Sequence, residues 1–260
     1  MQVLFVFLVC LAASTVGGIC GFGGGVVIKP VLDATGWMPV ATVSFLSSLT
    51  VLAMATVNLW KNRGSGELDA ARSVPLGLGA AVGGVLGKQI FTSLKAALQA
   101  DRTVGAVQAI VLGLMMLATL LYVCNKQRIR SRQIAGIAAP VLIGVALGIL
   151  SAFLGIGGGP INLAVLYYFF SMPTKKAAVN SIMVTLLIQL ASFATVLVTG
   201  AVPDFGWQEL AAMASAGVVG GAVSARLHKR LSVRTTDRLF MGLLCVILGI
   251  CVYNTVRMLG

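Results

Sequence analysis

Long, almost uncharged apolar segments separated by short polar breaks constrain this sequence more than any other feature. Eight of them approach the length of about 20 residues that a helix needs to cross a bilayer. They span about 3–20, 39–60, 73–92, 103–124, 134–154, 177–199, 208–225 and 238–256. Charged residues make up 10% of the 260 residues, against about 25% in soluble domains. The sequence therefore predicts an all-α polytopic membrane protein and excludes a disordered chain, a disulfide scaffold and an ordinary cytosolic enzyme.

The two halves of the chain repeat each other. The pentad Gly21–Gly25 matches Gly155–Gly159 at an offset of 134 residues, and Met38-Pro39 matches Met172-Pro173 at the same offset. Further dipeptides match at nearly this offset, such as Asp101-Arg102 with Asp237-Arg238. Separated matches at one offset indicate duplication. We therefore expect two homologous repeats, 1–130 and 131–260, which form a single membrane domain.

The distribution of positive charge predicts how the repeats are oriented. The net charge is +12, but the basic residues lie in short breaks between apolar runs, which favours a positive-inside pattern over nucleic-acid binding. If each glycine pentad bends a helical hairpin back to its own side, fourteen basic residues share one side and four the other. The crowded loops are 61–72, 126–132, 175–176 and 226–238. We therefore expect inverted-topology repeats with both termini outside.

Each repeat would consist of a glycine-rich helical hairpin followed by three membrane helices. This gives about six full spans plus two hairpins. The short run Val26–Gly36 makes a helix of roughly 16 Å, about half of a hydrocarbon core of about 30 Å. The bends are therefore predicted near mid-depth, where paired broken helices are typical of secondary transporters.

The glycine pentads are the first candidate binding elements. Their glycines expose backbone N–H groups, and the half-helix that follows each pentad points its positive end at the bend, so an anion would be stabilised there. The predicted substrate-binding glycines are Gly21, Gly23, Gly24, Gly25, Gly155, Gly157, Gly158 and Gly159. The alternative is a tight bend that only lets helices pack closely.

Lys29 is the one basic residue that this topology places inside the membrane. A buried ammonium is costly and is a functional hypothesis by default, although a lysine also snorkels to a surface. The equivalent position in the second repeat is Leu163, and Asn162 beside it offers a polar side chain. Lys29 and Asn162 are therefore candidate substrate ligands at an asymmetric site.

Polar side chains recur on the helix that follows each hairpin. In the first repeat they include Ser44, and in the second they are Asn180, Ser181, Thr185 and Gln189. Hydroxyl and amide donors could hold oxyanion oxygens, but such residues also hydrogen-bond membrane helices to one another. From this set Ser44, Asn180 and Ser181 complete the predicted binding residues.

The remaining residue types point away from catalysis and metal binding. Asp33 is the one carboxylate within the predicted membrane boundary, so neither a cation site nor a proton relay is evident. The five cysteines form no C-x-x-C pair, and the single histidine, His228, is predicted in a basic loop. No nucleophile–base pair is recognisable. We expect no enzyme activity, no cofactor and no metal, and we interpret the G-x-x-x-G rows as packing surfaces.

The chain resembles the TauE/SafE family of sulfite and organosulfonate exporters, also called the toluene sulfonate uptake permease family. The resemblance rests on Gly17–Gly25 followed by Pro30, on Gly155–Pro160, and on the Ala-x-x-Ser elements Ala41–Ser44 and Ala178–Ser181. It covers essentially the whole chain. It implies transport of sulfur oxyanions or small carboxylates across the bacterial inner membrane. The family's Thr-Ser pair is Val43-Ser44 and Asn180-Ser181 here, so the preferred anion could differ.

The sequence thus predicts a multi-pass secondary transporter that binds a small anion at the paired glycine breaks and works by alternating access, through rocking of one repeat against the other. Two other classes stay open, a passive anion channel and a membrane scaffold without transport. The expected partners are the anionic substrate and the lipid bilayer, with a possible homodimer and no nucleic acid.

Overall fold

The computed structural model describes residues 1–98, 101–125, 134, 136–154 and 159–259. Within these residues the chain is all-helical, with ten α-helices and no strand. In chain order they are α1 (Gln2–Cys20), α2 (Gly25–Thr35), α3 (Val40–Asn62), α4 (Ala70–Leu98), α5 (Asp101–Asn125), α6 (Ala138–Leu154), α7 (Gly159–Phe170), α8 (Thr174–Val198), α9 (Trp207–Arg230) and α10 (Val233–Leu259). This confirms the all-α membrane class. Five helices precede the polar segment 126–133 and five follow it.

Six stretches among the described residues are long and apolar enough to cross a membrane. They are Gln2–Cys20, Val40–Asn62, Ala70–Ile90, Thr174–Val198, Trp207–Arg230 and Val233–Val252. Five of the six belong to the predicted spans, and Gln2–Cys20, expected as a hairpin arm, is also long enough to span. The remaining predicted span is the 25-residue helix α5, whose stretch Ile110–Asn125 is apolar.

Each short helix folds back along the long helix before it. In the first repeat the Phe5 ring near the start of α1 meets the Trp37 ring just after α2, with centroids 5.4 Å apart. In the second, the backbone N–H of Ile134 donates to the carbonyl of Phe169 near the end of α7, at 3.1 Å. Both pairs are helical hairpins that return to their own end, as the sequence predicts.

Helices α1, α3 and α9 run in the same direction. Along α9, Gly217 faces the carbonyl of Thr50 and Gly221 faces that of Met54, so residue numbers rise together on α3 and α9. Likewise Gly220 of α9 faces Ser14 of α1, and Ser224 lies one turn on, against Gly18. The missing side chains let the backbones approach closely, which confirms a packing role for this glycine row.

Helices α4, α6 and α8 form the counterpart group. Gly79 and Gly87 of α4 face the carbonyls of Val141 and Ile149 of α6, again with rising numbers on both helices. Helices α4 and α8 are parallel as well. The N–H of Asp69, just before α4, donates to Oδ1 of Asn180 near the start of α8, and further along both helices Gly77 faces Leu187. The glycine rows of α4 and α6 are therefore packing surfaces as well.

The two groups run in opposite directions. Gln189 of α8 donates through Nε2 to the carbonyl of Ser48 on α3, at 3.4 Å, whereas Leu59 near the end of α3 shares an apolar cluster with Val179 near the start of α8. The long helix of each hairpin packs on a helix of the other repeat: α1 packs on α9, and α6 packs on α4. These directions are those that inverted repeats require, and the orientation in a membrane stays a prediction.

Basic loops meet at one end of the molecule. Lys229 after the core of α9 donates through Nζ to the carbonyl of Lys61, at 2.9 Å, and Lys176 pairs with Asp69 at 3.0 Å. Thr174 donates to Asp237 at 3.0 Å. Loops that the positive-inside argument assigned to a common side therefore lie together. The predicted basic loop 126–132 lies outside the described residues.

The C-terminal end of α9 differs from the prediction, and this changes the environment of His228. The apolar run ending near 225 predicted a basic loop that contains His228. Instead α9 continues to Arg230, and His228 lies in its last turn with 1% of its surface exposed. The helix continues because the basic residues of its last turn complement the partial negative charge at its C-terminal end.

Candidate functional site

The tip of the first hairpin is a four-residue reversal made by glycines. Gly21 ends α1 in the left-handed conformation, and Gly23 and Gly24 also have positive φ, at 85° and 72°. The N–H groups of Gly21, Phe22 and Gly23 all donate to the carbonyl of Gly17. Glycine adopts positive φ without the steric cost that a Cβ brings, so the sequence reverses direction here.

The reversal leaves backbone donors at the start of α2 unpaired. Within the described part of the chain, the N–H groups of Gly24, Gly25 and Val26 have no backbone acceptor. They belong to the first turn of α2, where intrahelical acceptors do not exist and the helix dipole is positive. The tip therefore presents a cluster of N–H donors without a charged side chain.

This tip lies halfway along the two central helices. Gly23 sits against Val51, near the middle of α3, and Thr185, near the middle of α8. Gly21 lies on the backbone of Ala178, where an added Cβ would be 2.5 Å from Cα. If α3 and α8 cross the membrane, the tip is close to mid-depth, which is the predicted position.

The second hairpin meets the first at this place. Gly159 begins α7 with a φ of 29°, and a Cβ on it would lie 2.8 Å from Cγ2 of Val26 and 3.9 Å from Cβ of Phe22. The predicted ligands Gly155, Gly157 and Gly158 lie outside the described residues. The described geometry thus joins Gly159 to Gly21–Gly25 at one point in the centre of the molecule.

Buried polar side chains surround the meeting point. Asn162 and Ser181 are both 0% exposed, and neither Oδ1 of Asn162 nor Oγ of Ser181 has a hydrogen-bond partner among the described residues. Asn162 donates to Oγ1 of Thr185 at a long 3.5 Å. Thr185, one turn beyond Ser181, belongs to the polar set of its helix but not to the predicted site. Its i to i+4 spacing from Ser181 is the signal that would have found it.

Asn180 has other partners in this conformation. Its Nδ2 donates to the carbonyls of Glu67 and Lys176 at 2.9 and 2.7 Å, and its Oδ1 accepts from the N–H of Asp69 at 2.8 Å. Both amide hydrogens are used, so no donor remains for a substrate. The side chain ties the α3–α4 loop to α8.

Lys29 lies one turn beyond the tip on α2. It is half-buried and shares a helix face with Val26, which touches Gly159. Within the described residues Lys29 makes no hydrogen bond or ion pair, and one buried carboxylate oxygen of Asp33, a turn further on, is also without a hydrogen bond. Ser44 is half-buried on α3, where its carbonyl accepts from the hydroxyls of Ser47 and Ser48. The structure therefore brings Lys29 near the tips but shows no contact of Ser44 with them.

The assembled site is rich in hydrogen-bond donors, with the carboxylate of Asp33 a turn beyond Lys29 on α2. It combines unpaired backbone N–H groups, the hydroxyls of Ser181 and Thr185, the amide of Asn162 and the ammonium of Lys29 on an adjacent turn. Among the described residues no group of three or more His, Cys, Asp or Glu is arranged to hold a metal ion. Such an arrangement suits a small anion with several oxygen acceptors.

Comparison with known proteins gives one family. The profile described as "Sulfite exporter TauE/SafE" matches residues 6–250, nearly the whole chain. A search of curated proteins finds no match. The match supports a membrane protein of multi-pass type with a transporter-type function for anions such as sulfite. By this match, together with its helical architecture, the chain belongs to the TauE/SafE sulfite exporter family.

Proposed function

We propose that this protein is a secondary transporter that moves a small anion, a sulfur oxyanion or organosulfonate resembling sulfite, by alternating access. One observation carries the proposal: Gly159, at the start of α7, meets the tip of the first hairpin halfway along the central helices, where two buried polar oxygens have no hydrogen-bond partner among the described residues. Broken helices that meet at mid-membrane are the substrate sites of many secondary transporters. We place the protein in the bacterial inner membrane, as a non-enzyme.

Recognition of the anion would combine backbone and side-chain donors. The N–H groups of Gly24, Gly25 and Val26 and the dipole of α2 supply partial positive charge. Ser181 and Thr185 offer hydroxyls, and Asn162 offers its amide once the side chain turns its Nδ2 toward the substrate. Lys29 adds a full charge. The glycines 155, 157 and 158 would provide the symmetric donors from the second tip.

Helix packing explains the glycines but leaves these polar groups without a role. A Cβ on Gly24 would lie 2.7 Å from the carbonyl oxygen of Ala13, so close packing requires glycine there whether or not a ligand binds. Packing gives no reason to bury an unpaired hydroxyl or amide oxygen, which costs about 1–3 kcal/mol. A substrate that accepts and donates hydrogen bonds at this point removes that cost.

The moving bodies in alternating access would not be the two sequence repeats. Each hairpin's long helix packs on a helix of the other repeat, α1 on α9 and α6 on α4. Two groups of parallel helices result, α1 with α3 and α9, and α4 with α6 and α8. They face each other across α3 and α8, beside the hairpin tips. Rocking of one group against the other would expose the tips to alternate sides.

Counterflow in proteoliposomes tests the proposal. Vesicles are preloaded in turn with sulfite, sulfate, thiosulfate, a short sulfonate and a small carboxylate, and uptake of the labelled anion is compared with protein-free vesicles. Saturable exchange of one anion supports a carrier and identifies its substrate class. Flux that does not saturate and shows no counterflow would indicate a channel. Folded protein that moves none of the five would contradict the proposal.

A further inference from the structure

The single histidine of the chain is buried between the first hairpin and the α3–α4 loop. Nδ1 of His228 lies 3.1 Å from the carbonyl oxygen of Ile19, and Nε2 lies 3.2 Å from Oε2 of Glu67. His228 is 1% exposed, whereas the side chain of Glu67 is 28% exposed. The pair therefore connects the interior to the end of the molecule where the basic loops lie.

This geometry requires a proton between His228 and Glu67. A carbonyl oxygen only accepts hydrogen bonds, so Nδ1 of His228 carries a hydrogen for Ile19. A neutral imidazole has one N–H, and with it on Nδ1 the Nε2 atom presents a lone pair to Oε2 of Glu67. The contact is attractive when one proton lies between these atoms, on the imidazole or on the carboxyl group. With the remaining N–H held on Nδ1 by the carbonyl of Ile19, loss of that proton sets the lone pair of Nε2 against those of Oε2 and opens the contact.

The pair is linked to the tip of the first hairpin. Ile19 lies in the last turn of α1, two residues before Gly21, where helix carbonyls lack intrahelical donors. His228 supplies a donor at this position. One turn earlier on α9, Ser224 packs against Gly18 and accepts from Nδ2 of Asn58. Helix α9 thus contacts the end of α1 through the same face that carries His228.

Glu67 also reaches the other side of the candidate site. Its backbone carbonyl accepts from Nδ2 of Asn180, and the N–H of Asp69 donates to Oδ1 of the same side chain. Asn180 directly precedes Ser181, which lies on α8 between Ala178 and Thr185, the residues that contact Gly21 and Gly23 at the first hairpin tip. A movement of Glu67 is therefore transmitted to α8 as well as to α1.

The other charged groups near His228 lie on neighbouring helices and loops. They either contact other residues or lie further along their helices. Lys229 donates to the carbonyl of Lys61, Asp69 pairs with Lys176 and Arg72, and Arg63 lies over the ring of Trp60. Helix α1 contributes no charged side chain. The remaining charges on α9, on α10 and in the first turn of α8 are those of Arg226, Arg230, Arg234, Asp237, Arg238 and Lys175.

We infer that His228 and Glu67 form the site of a coupling proton for the proposed transport. A proton from the aqueous side that Glu67 faces enters the line between Oε2 and Nε2 and closes the contact. Its release opens the contact and frees the α3–α4 loop, so occupancy by the proton and occupancy by the anion bias the same rearrangement. The inference rests on the proposed function but uses none of its anion-binding residues.

The first experiment observes the proton directly. Because the chain has one histidine, ¹⁵N-histidine labelling gives the imidazole signals of His228 alone. In lipid nanodiscs, wild-type protein should show Nδ1 protonated throughout and an Nε2 signal that changes with pH. Glu67→Gln removes the carboxylate that shares this proton, so its Nε2 signal should no longer follow that of the wild type. Identical Nε2 signals in the two proteins at every pH would overturn the proposal.

The second experiment measures coupling. Vesicles that contain a trapped pH indicator are used with the anion that exchanges in the counterflow assay. In Glu67→Gln, counterflow should persist, while the pH change that accompanies net anion movement falls at least about fivefold. Glu209→Gln, which removes a carboxylate from the opposite end of α9, is the matched control and should behave like wild type.

Two outcomes separate the failures of the two proposals. If Glu67→Gln retains the anion-linked pH change, the proton site is wrong and the carrier assignment stands. If no anion exchanges in wild-type vesicles, the carrier assignment fails, and the labelled imidazole still decides whether the pair binds a proton. His228→Gln, which keeps a donor for Ile19 but does not titrate, should reproduce the loss of coupling.

Discussion

The two hairpins share a glycine-rich pentad in the sequence but differ in what surrounds their short helices. Along α2 only Val26, Ile28 and Leu32 are buried, and Lys29 and Asp33 are half-buried. Helix α7 is buried along most of its length and lies in the largest apolar cluster with residues of α5, α8 and α10. The position equivalent to Lys29 is Leu163, which is 0% exposed. A charge is therefore placed on the more open arm, where its desolvation cost is lower.

This difference indicates that the two short helices have different roles, although both belong to the same repeated motif. The buried arm α7 forms a wall that carries Asn162 toward the tips, while the more open arm α2 carries the charge. The following predictions test whether the contrast between the hairpins has this meaning.

The largest effect is expected at the tip of the first hairpin. Gly21→Ala combines a positive φ of 90° with a Cβ that would lie 2.5 Å from the Ala178 backbone. Strained backbone and overpacking together should lower the free energy of unfolding by about 2–6 kcal/mol. Gly159→Ala at the second tip should cost less, because its Cβ would meet a movable side-chain methyl of Val26. Unfolding in detergent measures both.

A matched control separates backbone strain from crowding. Gly36 also has positive φ, at 65°, but a Cβ there would meet nothing within 4 Å. Gly36→Ala should therefore cost about 1–2 kcal/mol at most. Equal losses for Gly21→Ala and Gly36→Ala would show that the first tip is not closely packed on α8.

The next effect concerns the support of the second hairpin's long helix. Gly83 of α4 faces the carbonyl of Val145 on α6, whereas a Cβ on the adjacent Gly84 would meet nothing within 4 Å. Gly83→Ala should destabilise the fold by about 1–3 kcal/mol through overpacking. Gly84→Ala should be neutral or stabilise by up to about 1 kcal/mol, since alanine restricts the unfolded chain. Thermal unfolding of the two variants that gives equal midpoints would contradict the α4–α6 contact.

Removing the charge on α2 makes the first hairpin resemble the second. Lys29→Leu should weaken substrate affinity at least about tenfold, about 1.4 kcal/mol, because the anion loses the nearest full positive charge. The half-saturation of counterflow measures this loss. Lys29→Arg keeps the charge and serves as the control. Unchanged affinity in Lys29→Leu would remove this residue from the site and leave it as a side chain that reaches toward the surface.

The smallest effect is expected at a single hydroxyl between the hairpins. Ser181→Ala removes a buried oxygen that has no hydrogen-bond partner among the described residues, so the ligand-free protein should be equally stable or slightly more stable. Substrate affinity should fall about 2- to 10-fold, the value of one hydrogen bond. Ser73, equally buried, donates to the carbonyl of Asp69 at 2.9 Å. Ser73→Ala should show the reverse, lower stability and unchanged affinity, in ligand-dependent melting experiments.

Much of the architecture could be predicted from local sequence patterns. The length of the apolar runs determines that helices of membrane length form, and the glycine pentads determine where two of them reverse. The repeat offset predicts corresponding helices, and the confinement of basic residues to alternate breaks predicts the loops that share one end. These properties depend on residues close together in the chain, so a periodicity or a motif reports them.

The partners of individual polar side chains could not be predicted in this way. Asn180 was a candidate ligand, but its amide holds the α3–α4 loop, while Thr185 lies at the tips. His228 was expected in a loop and is buried against Glu67 and Ile19. Each of these bonds except that of Thr185 joins residues more than a hundred positions apart, and no local pattern specifies such a pair.

The sequence by itself determined the membrane class, the two hairpins and the chemistry available at their tips. The tertiary structure decided which helices form a group, because each hairpin packs on a helix of the other repeat through backbone contacts that glycines permit. It also decided which buried donors and acceptors pair with each other and which have no hydrogen-bond partner within the described part of the chain. Apolar helices bury themselves in many arrangements of similar hydrophobic gain, whereas close backbone contacts and directional hydrogen bonds are satisfied in few.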